Sequence, residues 1–240
     1  AEFSFSALDV GQGQCLLYLS QGQSAAVDCG SQETASAGET LARQLLSGGR
    51  SRLDLLILTH YDADHTNGVQ QLLHRIPVGC IFMPDVAKES AARWEIEQAA
   101  QQAGTEIAYV TEDLLLPFGA GTLRLFAPVS DLEGNDAGLS VLASFSGYDI
   151  LATGDMDEAT EKALLRTGEI PDLELLVAGH HGSKTSTGSV LLKVTKPEAV
   201  VISVGENSYG HPASETLARI AAVGADVYRT DQNGTVTVRR

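Results

Sequence analysis

The sequence predicts an α/β protein, and three observations carry that prediction. Strand-length apolar runs recur along the 240 residues with helical segments between them. In the last third of the chain, strand and helix patterns alternate regularly. The run LDLLILTH at residues 53–60 also aligns without gaps to LELLVAGH at residues 173–180, half a chain further on. This echo favours two halves of similar build, whose histidine-bearing strand ends would meet at one edge if the halves pack face to face.

The first half opens with short strand patterns. FSFSALDV, CLLYLS and SAAVDCG are separated by the glycine-containing turns GQGQ and SQGQ. A helix is expected from about Ala37 to Leu46, before LDLLILTH, whose apolar residues on both faces indicate a buried strand. NGVQQLLHR and KESAARWEIEQAAQQAG have helical patterns, and the second is expected to end at Gly104, because glycine is the usual residue just past a helix C-terminus.

The second half begins with the strand patterns TEIAYVT, TLRLFAP, LSVLASF and DILATGD. Helices are expected near Asp157 to Leu165, Gly188 to Val194 and Ala213 to Val223, separated by the strands LELLVAGH, AVVISVG and DVYRT. The turn DQNG leads to a last strand, TVTVRR. No linker or low-complexity stretch divides the chain. We therefore expect one domain over residues 1–240.

Composition predicts a soluble globular protein and disfavours one class of function. Hydrophobic residues make up 43% and charged residues 20%, and no apolar run approaches the roughly 18 residues that a membrane span needs. The net charge is −15, from 31 acidic and 16 basic residues, so a broad basic surface for nucleic acid is disfavoured. Cys15, Cys29 and Cys80 are too few and scattered for a disulfide framework, and buried thiols are expected.

The segment LTHYDADHTNG, residues 58–68, carries the densest set of possible metal ligands. Its donors are His60, Asp62, Asp64 and His65. If the segment is extended at first, His60, Asp62 and Asp64 point to the same side, and His65 is offset from them toward a neighbouring position. Such spacing can serve two ions, with His60 and Asp62 on one and Asp64 and His65 on the other. The alternative is an acidic, solvated turn, which is disfavoured because few turns place these donors directly after a buried strand.

Four donors cannot close two metal sites, so distant residues must contribute. ATGDMD offers Asp155 at the end of an apolar strand, where a carboxylate could bridge two ions. Taken alone, Asp155 or Asp157 would be interpreted as a helix N-cap. AGHHGS offers His180 or His181, whereas His74 falls in a helical pattern and is expected to be structural.

In order along the chain, these segments resemble the metallo-β-lactamase superfold and, more narrowly, the C-terminal hydrolase domain of the ComEC family of DNA-uptake competence proteins. The matching strings are LDVGQGQ, VDCG, LTHYDADHTNG, GNDAGLSVL, ILATGDM, VAGHHGSKTS and SVGENSYGHP, from Leu8 to about Thr230. HxDxDH alone indicates only the superfold, while HHGS and YGHP are more specific. The resemblance implies an αββα sandwich, in which two mixed β-sheets pack face to face with helices on the outer faces.

The resemblance also implies roles for single residues. The implied metal ligands are His60, Asp62, Asp64, His65, Asp155 and His180. His181 and His211 would lie in the active site with Asp64, able to bind phosphate or to protonate a leaving oxygen. Lys184 would add a phosphate contact, with an ordinary surface lysine as an equal alternative. Asp28 would orient the ligand loop from behind.

The sequence departs from the lactamase pattern at the first metal. Asp62 stands where the lactamases have histidine, and one further histidine ligand is missing. Competence-type sequences tend to have asparagine and serine there, matched by Asn135 and Ser140. The first site is therefore short of ligands, and water, Asn135 or Asp136 would have to complete it. Because imidazole and carboxylate donors occur without thiolate, Mn²⁺ suits the set as well as Zn²⁺.

The function implied by the resemblance is that of a phosphodiesterase with two divalent ions, Mn²⁺ or Zn²⁺, which degrades DNA during uptake for natural transformation. Single-stranded DNA is the expected substrate. Because the chain opens at Ala1 inside a strand pattern, we expect a soluble domain of a longer membrane protein, located outside the bacterial cell membrane beside the channel portion. Two alternatives stay open. One is a hydrolase of small phosphodiesters or phosphocholine-type esters, which the acidic composition favours. The other is a degenerate, metal-stabilised docking domain, which the incomplete first site favours.

Overall fold

The computed structural model describes residues 2–33, 36–129, 134–167 and 169–240, with only the backbone described at residues 135, 136 and 167. Within these ranges two seven-stranded mixed sheets pack face to face, and helices cover their outer faces. The predicted αββα sandwich is thereby confirmed. Among the described residues, no helix has both the length and the hydropathy to span a bilayer.

The first sheet has the strand order β14-β1-β2-β3-β4-β5-β6. Its strands are β1 (Phe3–Ala7), β2 (Leu16–Ser20), β3 (Gln23–Val27), β4 (Leu53–Ile57), β5 (Val78–Pro84), β6 (Glu106–Val110) and β14 (Val236–Arg239). The helices beside it are α1 (Ala37–Ser47), α2 (Ala63–Thr66), α3 (Val69–Arg75) and α4 (Ala91–Ala103).

The second sheet has the order β13-β12-β11-β10-β9-β8-β7. Its strands are β7 (Leu114–Phe118), β8 (Gly121–Phe126), β9 (Ser140–Phe145), β10 (Tyr148–Ala152), β11 (Leu175–Val177), β12 (Ala199–Ile202) and β13 (Asp226–Arg229). The remaining helices are α5 (Glu158–Thr167), α6 (Ser189–Thr195), α7 (Ser214–Ala222) and α8 (Thr230–Asn233).

The core lies in three layers. Between the sheets, aromatic side chains such as Phe5, Tyr18 and Phe145 are almost wholly buried. The outer face of the first sheet packs against leucines and small residues of α1, α3 and α4, and the outer face of the second sheet packs against α5, α6 and α7. Apolar residues on both faces of a central strand are therefore required, as the continuous run LDLLIL indicates.

The two sheets have the same internal order of strand directions. Reading from β14, three antiparallel pairings are followed by three parallel pairings, ending at β6. Reading from β7, the second sheet repeats that order and ends at β13. Strands β4 and β11, which carry the echoing sequences, take the equivalent position in their sheets. The echo in sequence is therefore an equivalence in structure.

Most predicted elements are found, and the exceptions have local causes. The predicted end of α4 is confirmed, because Gly104 adopts the left-handed conformation (φ 69°) as its C-cap. Strands β5 and β7 were not predicted. The segment DQNG, predicted as a turn, lies in the short helix α8 and its C-cap Gly234. Strand β11 is only three residues long because the chain leaves the sheet directly before His180.

Candidate metal centre

The ligand loop after β4 is extended only as far as Asp62 and then enters a helical turn. Asp62 is the extended N-cap residue of the one-turn helix α2 (φ −65°, ψ 148°), so Asp64 and His65 lie on a helical turn. His60 and His65 consequently point inward and are buried, whereas 56% of the Asp62 side chain is exposed. The Asp62 carboxylate still lies 3.7 Å from His60 Nε2. Asp62 is thus at the mouth of the site.

Asp28 is the fixed point behind the ligand loop. Asp28 directly follows β3, has a left-handed backbone conformation (φ 60°) and is fully buried. One carboxylate oxygen accepts the backbone N–H of Thr59 (2.7 Å), and the other accepts from Gln14 Nε2 and from Thr59 Oγ1, both at 2.8 Å. The second oxygen also lies 2.7 Å from His65 Nδ1. Because a carboxylate only accepts, His65 carries its proton on Nδ1 and presents Nε2 to the site.

The Asp28 carboxylate also orients His60, through the hydroxyl of Thr59. Nδ1 of His60 lies 2.9 Å from Thr59 Oγ1, and the Thr59 hydroxyl gives its only hydrogen to Asp28. His60 therefore donates from Nδ1 to Thr59, and its Nε2 is left with a lone pair. That Nε2 is buried and has no hydrogen-bond partner in the described part of the chain. A buried acceptor without a partner is costly unless a ligand satisfies it.

His181 presents the same nitrogen from the opposite sheet. Its Nδ1 donates to the backbone carbonyl of Ser203 at 2.8 Å. Its Nε2 lies 3.2 Å from His65 Nε2 and 3.3 Å from an Asp64 carboxylate oxygen. Two ring nitrogens whose protons are used elsewhere repel each other at that distance, so a proton or a cation has to lie between them. The donor arrangement therefore fits a metal ion.

Asp155 joins the two halves. It follows β10 and is 5% exposed. One carboxylate oxygen lies 3.1 Å from His65 Nε2, and the other lies 3.7 Å from His60 Nε2 and 3.6 Å from His180 Nε2. The same oxygen is 3.9 Å from His181 Nε2. A carboxylate surrounded by four imidazoles is the geometry that its predicted bridging role requires.

Among the residues that the structure describes, two groups of three donors have ligand atoms within 4.8 Å of one another. One consists of His60, His65 and Asp155, and the other of Asp64, His65 and His181. The grouping differs from the one that the spacing predicted, since His65 belongs to both groups and Asp62 to neither. The reason is the helical turn at α2, which rotates Asp64 and His65 toward the second sheet while Asp62 stays at the mouth.

The ionisable groups of the centre shift one another's pKa. Burial alone would lower the pKa of His65, but the carboxylates of Asp155 and Asp28 hold this pKa well above its ordinary value. Burial alone would raise the pKa of Asp155, yet the neighbouring imidazoles, His65 first, hold it well below the ordinary carboxyl value. Burial and the charge of His65 lower the pKa of His60. In the absence of metal, the protons are thus concentrated on His65, where a cation would replace them.

Asp64 is held at the rim between the two sheets. Its carboxylate accepts from Gln32 Nε2 at 3.0 Å and faces His181. Burial would raise its pKa, but the hydrogen bond to His181 and the charges of His65 and His181 keep this pKa below its ordinary value. Asp64 is therefore an anion that can act as a ligand.

The HHGS loop has an unusual backbone. His180 and His181 both have positive φ, at 49° and 53°, and Gly182 continues the pattern at 81°. This left-handed run turns both rings toward Asp155. It is held from below, because Gly179 N–H donates to Thr187 Oγ1 at 2.9 Å and the buried carboxylate of Glu161 accepts the N–H groups of residues 187 and 188. His180 remains about one third exposed.

His211 lies beside His180 on a loop organised by Asn207. The two imidazole centroids are 5.5 Å apart. The Asn207 amide accepts from the N–H groups of Tyr209 (3.1 Å) and His211 (3.0 Å), and it donates to the carbonyls of Gly205 and His211. Nδ1 of His211 is buried and has no partner among the residues that the structure describes, and burial followed by the charge of His180 lowers the pKa of His211.

The other predicted residues lie farther from the centre. Lys184 is exposed and faces Glu215, whose pKa is lowered by its own backbone N–H, by Ser214 and then by Lys184. Ser140 is buried at the start of β9, where its hydroxyl lies 3.9 Å from the sulfur of Met156, the residue after Asp155. The side chains of Asn135 and Asp136 lie outside the described part of the chain.

Three glutamines near the site were not predicted as functional residues. Gln14 and Gln32 contact Asp28 and Asp64, and Gln12 accepts the N–H of Gly205 at 3.1 Å. Gln12 and Gln14 fall in GQGQ, which was interpreted as a glycine-containing turn and as part of the matching string LDVGQGQ, and Gln32 falls in GSQ, for which no interpretation was made. The glycines are needed for close contact, since a Cβ on Gly30 would overlap the backbone of Asp64 and His65. A glutamine next to closely packed glycines was the sequence signal that could have identified these residues.

Fold and donor set together define a metal-binding αββα protein, and comparison with known proteins places it. The chain belongs to the metallo-beta-lactamase superfamily, whose family model matches residues 8–206. The superfamily and the donor clusters support a metal-dependent hydrolase.

Similarity to individual proteins is more informative than the superfamily match. The chain is 32% identical over 235 residues to competence protein ComA of Neisseria gonorrhoeae, which covers 97% of this chain and 32% of that protein. It is 30% identical over 212 residues to ComE operon protein 3 of Bacillus subtilis, covering 87% and 27% respectively. The chain thus spans about a third of the length of these curated relatives. Among solved structures, the metallo-beta-lactamase fold protein YhfI of Bacillus subtilis matches with a TM-score of 0.67 at 13% identity, covering 98% of this chain and all of that one.

Proposed function

We propose that this domain is a metal-dependent phosphodiesterase that degrades DNA during uptake for natural transformation. The observation that carries the proposal is the convergence of His60, His65 and His181 on Asp155, each imidazole with Nδ1 occupied and Nε2 directed inward. The competence proteins among its relatives support the biological setting. In that setting the domain would act outside the cell membrane, beside the channel portion of its parent protein, on single-stranded DNA.

The donor set is suited to divalent ions, and we propose that it holds two. The ligands would be His60, Asp62, Asp64, His65, Asp155 and His180, and the geometry adds His181 to that set. The chemistry that such ions supply is charge stabilisation at phosphorus and activation of water. The donors are imidazoles and carboxylates without a thiolate, which suits Mn²⁺ as well as Zn²⁺.

The protein's own groups have separate tasks. Asp28 fixes the tautomers of His60 and His65, so that their Nε2 atoms face the site before any ligand arrives. His211, whose ring lies beside His180 and whose Nδ1 has no partner among the described residues, would hold a phosphate oxygen or transfer a proton to the leaving oxygen. Lys184 would supply a distant positive charge, reduced by its neighbour Glu215.

A second candidate is the hydrolysis of small phosphodiesters. The net charge of −15 favours it, because a long polyanion is repelled by an acidic surface while a compact diester is repelled less. Both candidates share the same metal chemistry and differ in what the surface outside the centre has to bind.

The deciding experiment is a cleavage assay with purified protein in Mn²⁺ or Zn²⁺, using single-stranded DNA, double-stranded DNA and a small chromogenic phosphodiester. The proposal expects DNA cleavage that a chelator abolishes. Asp64→Ala should abolish cleavage with an unchanged circular dichroism spectrum, and Asp172→Ala, at an exposed aspartate, serves as the matched control. Turnover of the small diester with intact DNA would overturn the DNA assignment. Unfolding of Asp64→Ala together with an inactive parent would indicate a structural metal.

A further inference from the structure

We propose that Tyr209 is a stacking platform for an unpaired nucleobase and thereby selects single-stranded nucleic acid at this site; the inference deepens the proposed function and rests on it. Tyr209 is a large aromatic side chain that is 60% exposed. Its ring lies 5.8 Å from the ring of His211 at an interplanar angle of 33°. The Tyr209 ring therefore lies beside an imidazole of the site while much of the side chain is open to solvent.

The position of Tyr209 links solvent to the centre through consecutive rings. His211 lies 5.5 Å from His180, and His180 Nε2 lies 3.6 Å from Asp155. Two ring-to-ring steps therefore lead from Tyr209 to His180, which lies next to the carboxylate of Asp155. That order matches a nucleotide chain, in which a phosphate enters the centre while a neighbouring base remains outside.

The loop that carries Tyr209 is held in place before any substrate binds. The Asn207 side chain accepts the Tyr209 N–H and bonds to both ends of the turn, at Gly205 and His211. Gly205 in turn packs so closely on Gly11 and Gln12 that a Cβ would overlap their backbone. An exposed aromatic on a fixed turn loses little conformational entropy when it binds, which is the property of a recognition residue.

Charge explains why the platform would be needed. The domain has a net charge of −15, and the nearby Lys184 faces Glu215. Phosphate contacts with lysine and arginine therefore supply little affinity here. Stacking on an aromatic face does not depend on net charge and accepts every base, because each base has a π-face.

The test measures binding and cleavage separately, with oligo(dT) and a fully abasic tetrahydrofuran-phosphate oligomer of equal length. Binding is followed by fluorescence anisotropy, once in Mn²⁺ before cleavage proceeds and once in EDTA. Tyr209→Ala should weaken oligo(dT) binding roughly tenfold and leave the abasic oligomer unaffected. Tyr209→Phe should retain binding, and Trp94→Ala, which removes an equally exposed aromatic from α4, is the control.

Each outcome decides the inference. Equal affinity of Tyr209→Ala and the parent for oligo(dT), an equal loss for both oligomers, or a parent that binds neither oligomer overturns the stacking platform. Tyr209-dependent binding of oligo(dT) without any cleavage supports the platform and overturns the nuclease. Cleavage that is insensitive to Tyr209→Ala, in KM as well as kcat, supports the nuclease and overturns the platform.

Discussion

The two sheets share their order of strand directions, yet they deliver donors to the centre in different ways. After β4, the first sheet uses a loop and the one-turn helix α2, with His60 and His65 oriented by the buried carboxylate of Asp28. After β11, the second sheet uses two consecutive left-handed histidines, held by backbone contacts. The sheets thus set where the strand ends meet, and the connecting loops decide which chemistry is placed there.

The largest effect is expected where the halves meet, at Asp155. Asp155→Asn keeps the volume of the side chain and removes the negative charge that faces four imidazoles. Since even residues behind metal ligands contribute about 10–100-fold, we expect activity to fall by more than about 100-fold. Bound metal, measured by mass spectrometry, should fall in parallel. Asp149→Asn, on the same strand, is the control. A variant with the parent's metal content and activity would contradict the bridging role.

Asp28→Asn tests the support that only the first half possesses. The amide keeps the size and tolerates the left-handed backbone, but its Nδ2 cannot accept, so it would face either the Thr59 N–H or the donors of Gln14, Thr59 and His65 without a bond. We expect metal affinity to fall by about 10–100-fold, measured by competition with a chromophoric chelator.

The control for Asp28→Asn is Asp54→Asn. Asp54 holds the same sheet together by accepting from the backbone and hydroxyl of Ser24, away from the centre. An equal loss of affinity in both variants would mean that Asp28 acts through the sheet rather than on His65.

Gly30→Ala and Gly179→Ala compare how tightly each donor loop is packed. A Cβ at Gly30 would overlap the backbone of Asp64 and His65, whereas at Gly179 the nearest atom is Thr153 Oγ1 at 3.1 Å. We expect Gly30→Ala to lower the free energy of unfolding by about 1–3 kcal/mol and Gly179→Ala by less than about 1 kcal/mol, measured by urea denaturation. A reversed order would show that the second loop is the more constrained.

An effect confined to the pH dependence of stability is expected at Glu161, which supports the second loop with an ionisable group. Burial raises the pKa of Glu161 to about 7, so the folded protein binds this proton more tightly than the unfolded chain does. The resulting stabilisation is complete below about pH 4.5 and is lost as the pH rises through about 7.

Glu161→Gln should therefore reduce the fall in Tm between those pH values. The exposed Glu169→Gln is the control. Parallel Tm profiles of parent and Glu161→Gln would contradict this account. The first loop has a neutral counterpart, since Asn67 bonds both backbone groups of Ser31, so this titration belongs to the second half alone.

Local patterns in the sequence were sufficient for an α/β protein with two similar halves and for the segments in which donors are concentrated, whereas the αββα sandwich was implied by the family resemblance. The run before His60 has to be a buried strand, and its echo before His180 places the second set of donors. The detailed grouping was not accessible. It depends on where α2 begins, which turns Asp62 outward, and on the left-handed backbone that directs His181 toward His65. Neither backbone change has a strong signature, since neither occurs at glycine.

That left-handed pair also has a consequence for how the chain can evolve. A side chain with a Cβ costs roughly 1–2 kcal/mol in this conformation, and glycine at position 180 or 181 would remove the cost. Stability and chemistry therefore select for different residues at the same two positions. A lineage that no longer needs the chemistry is expected to drift to glycine or asparagine there. Retention of both histidines in a descendant would therefore indicate that its metal centre is still functional.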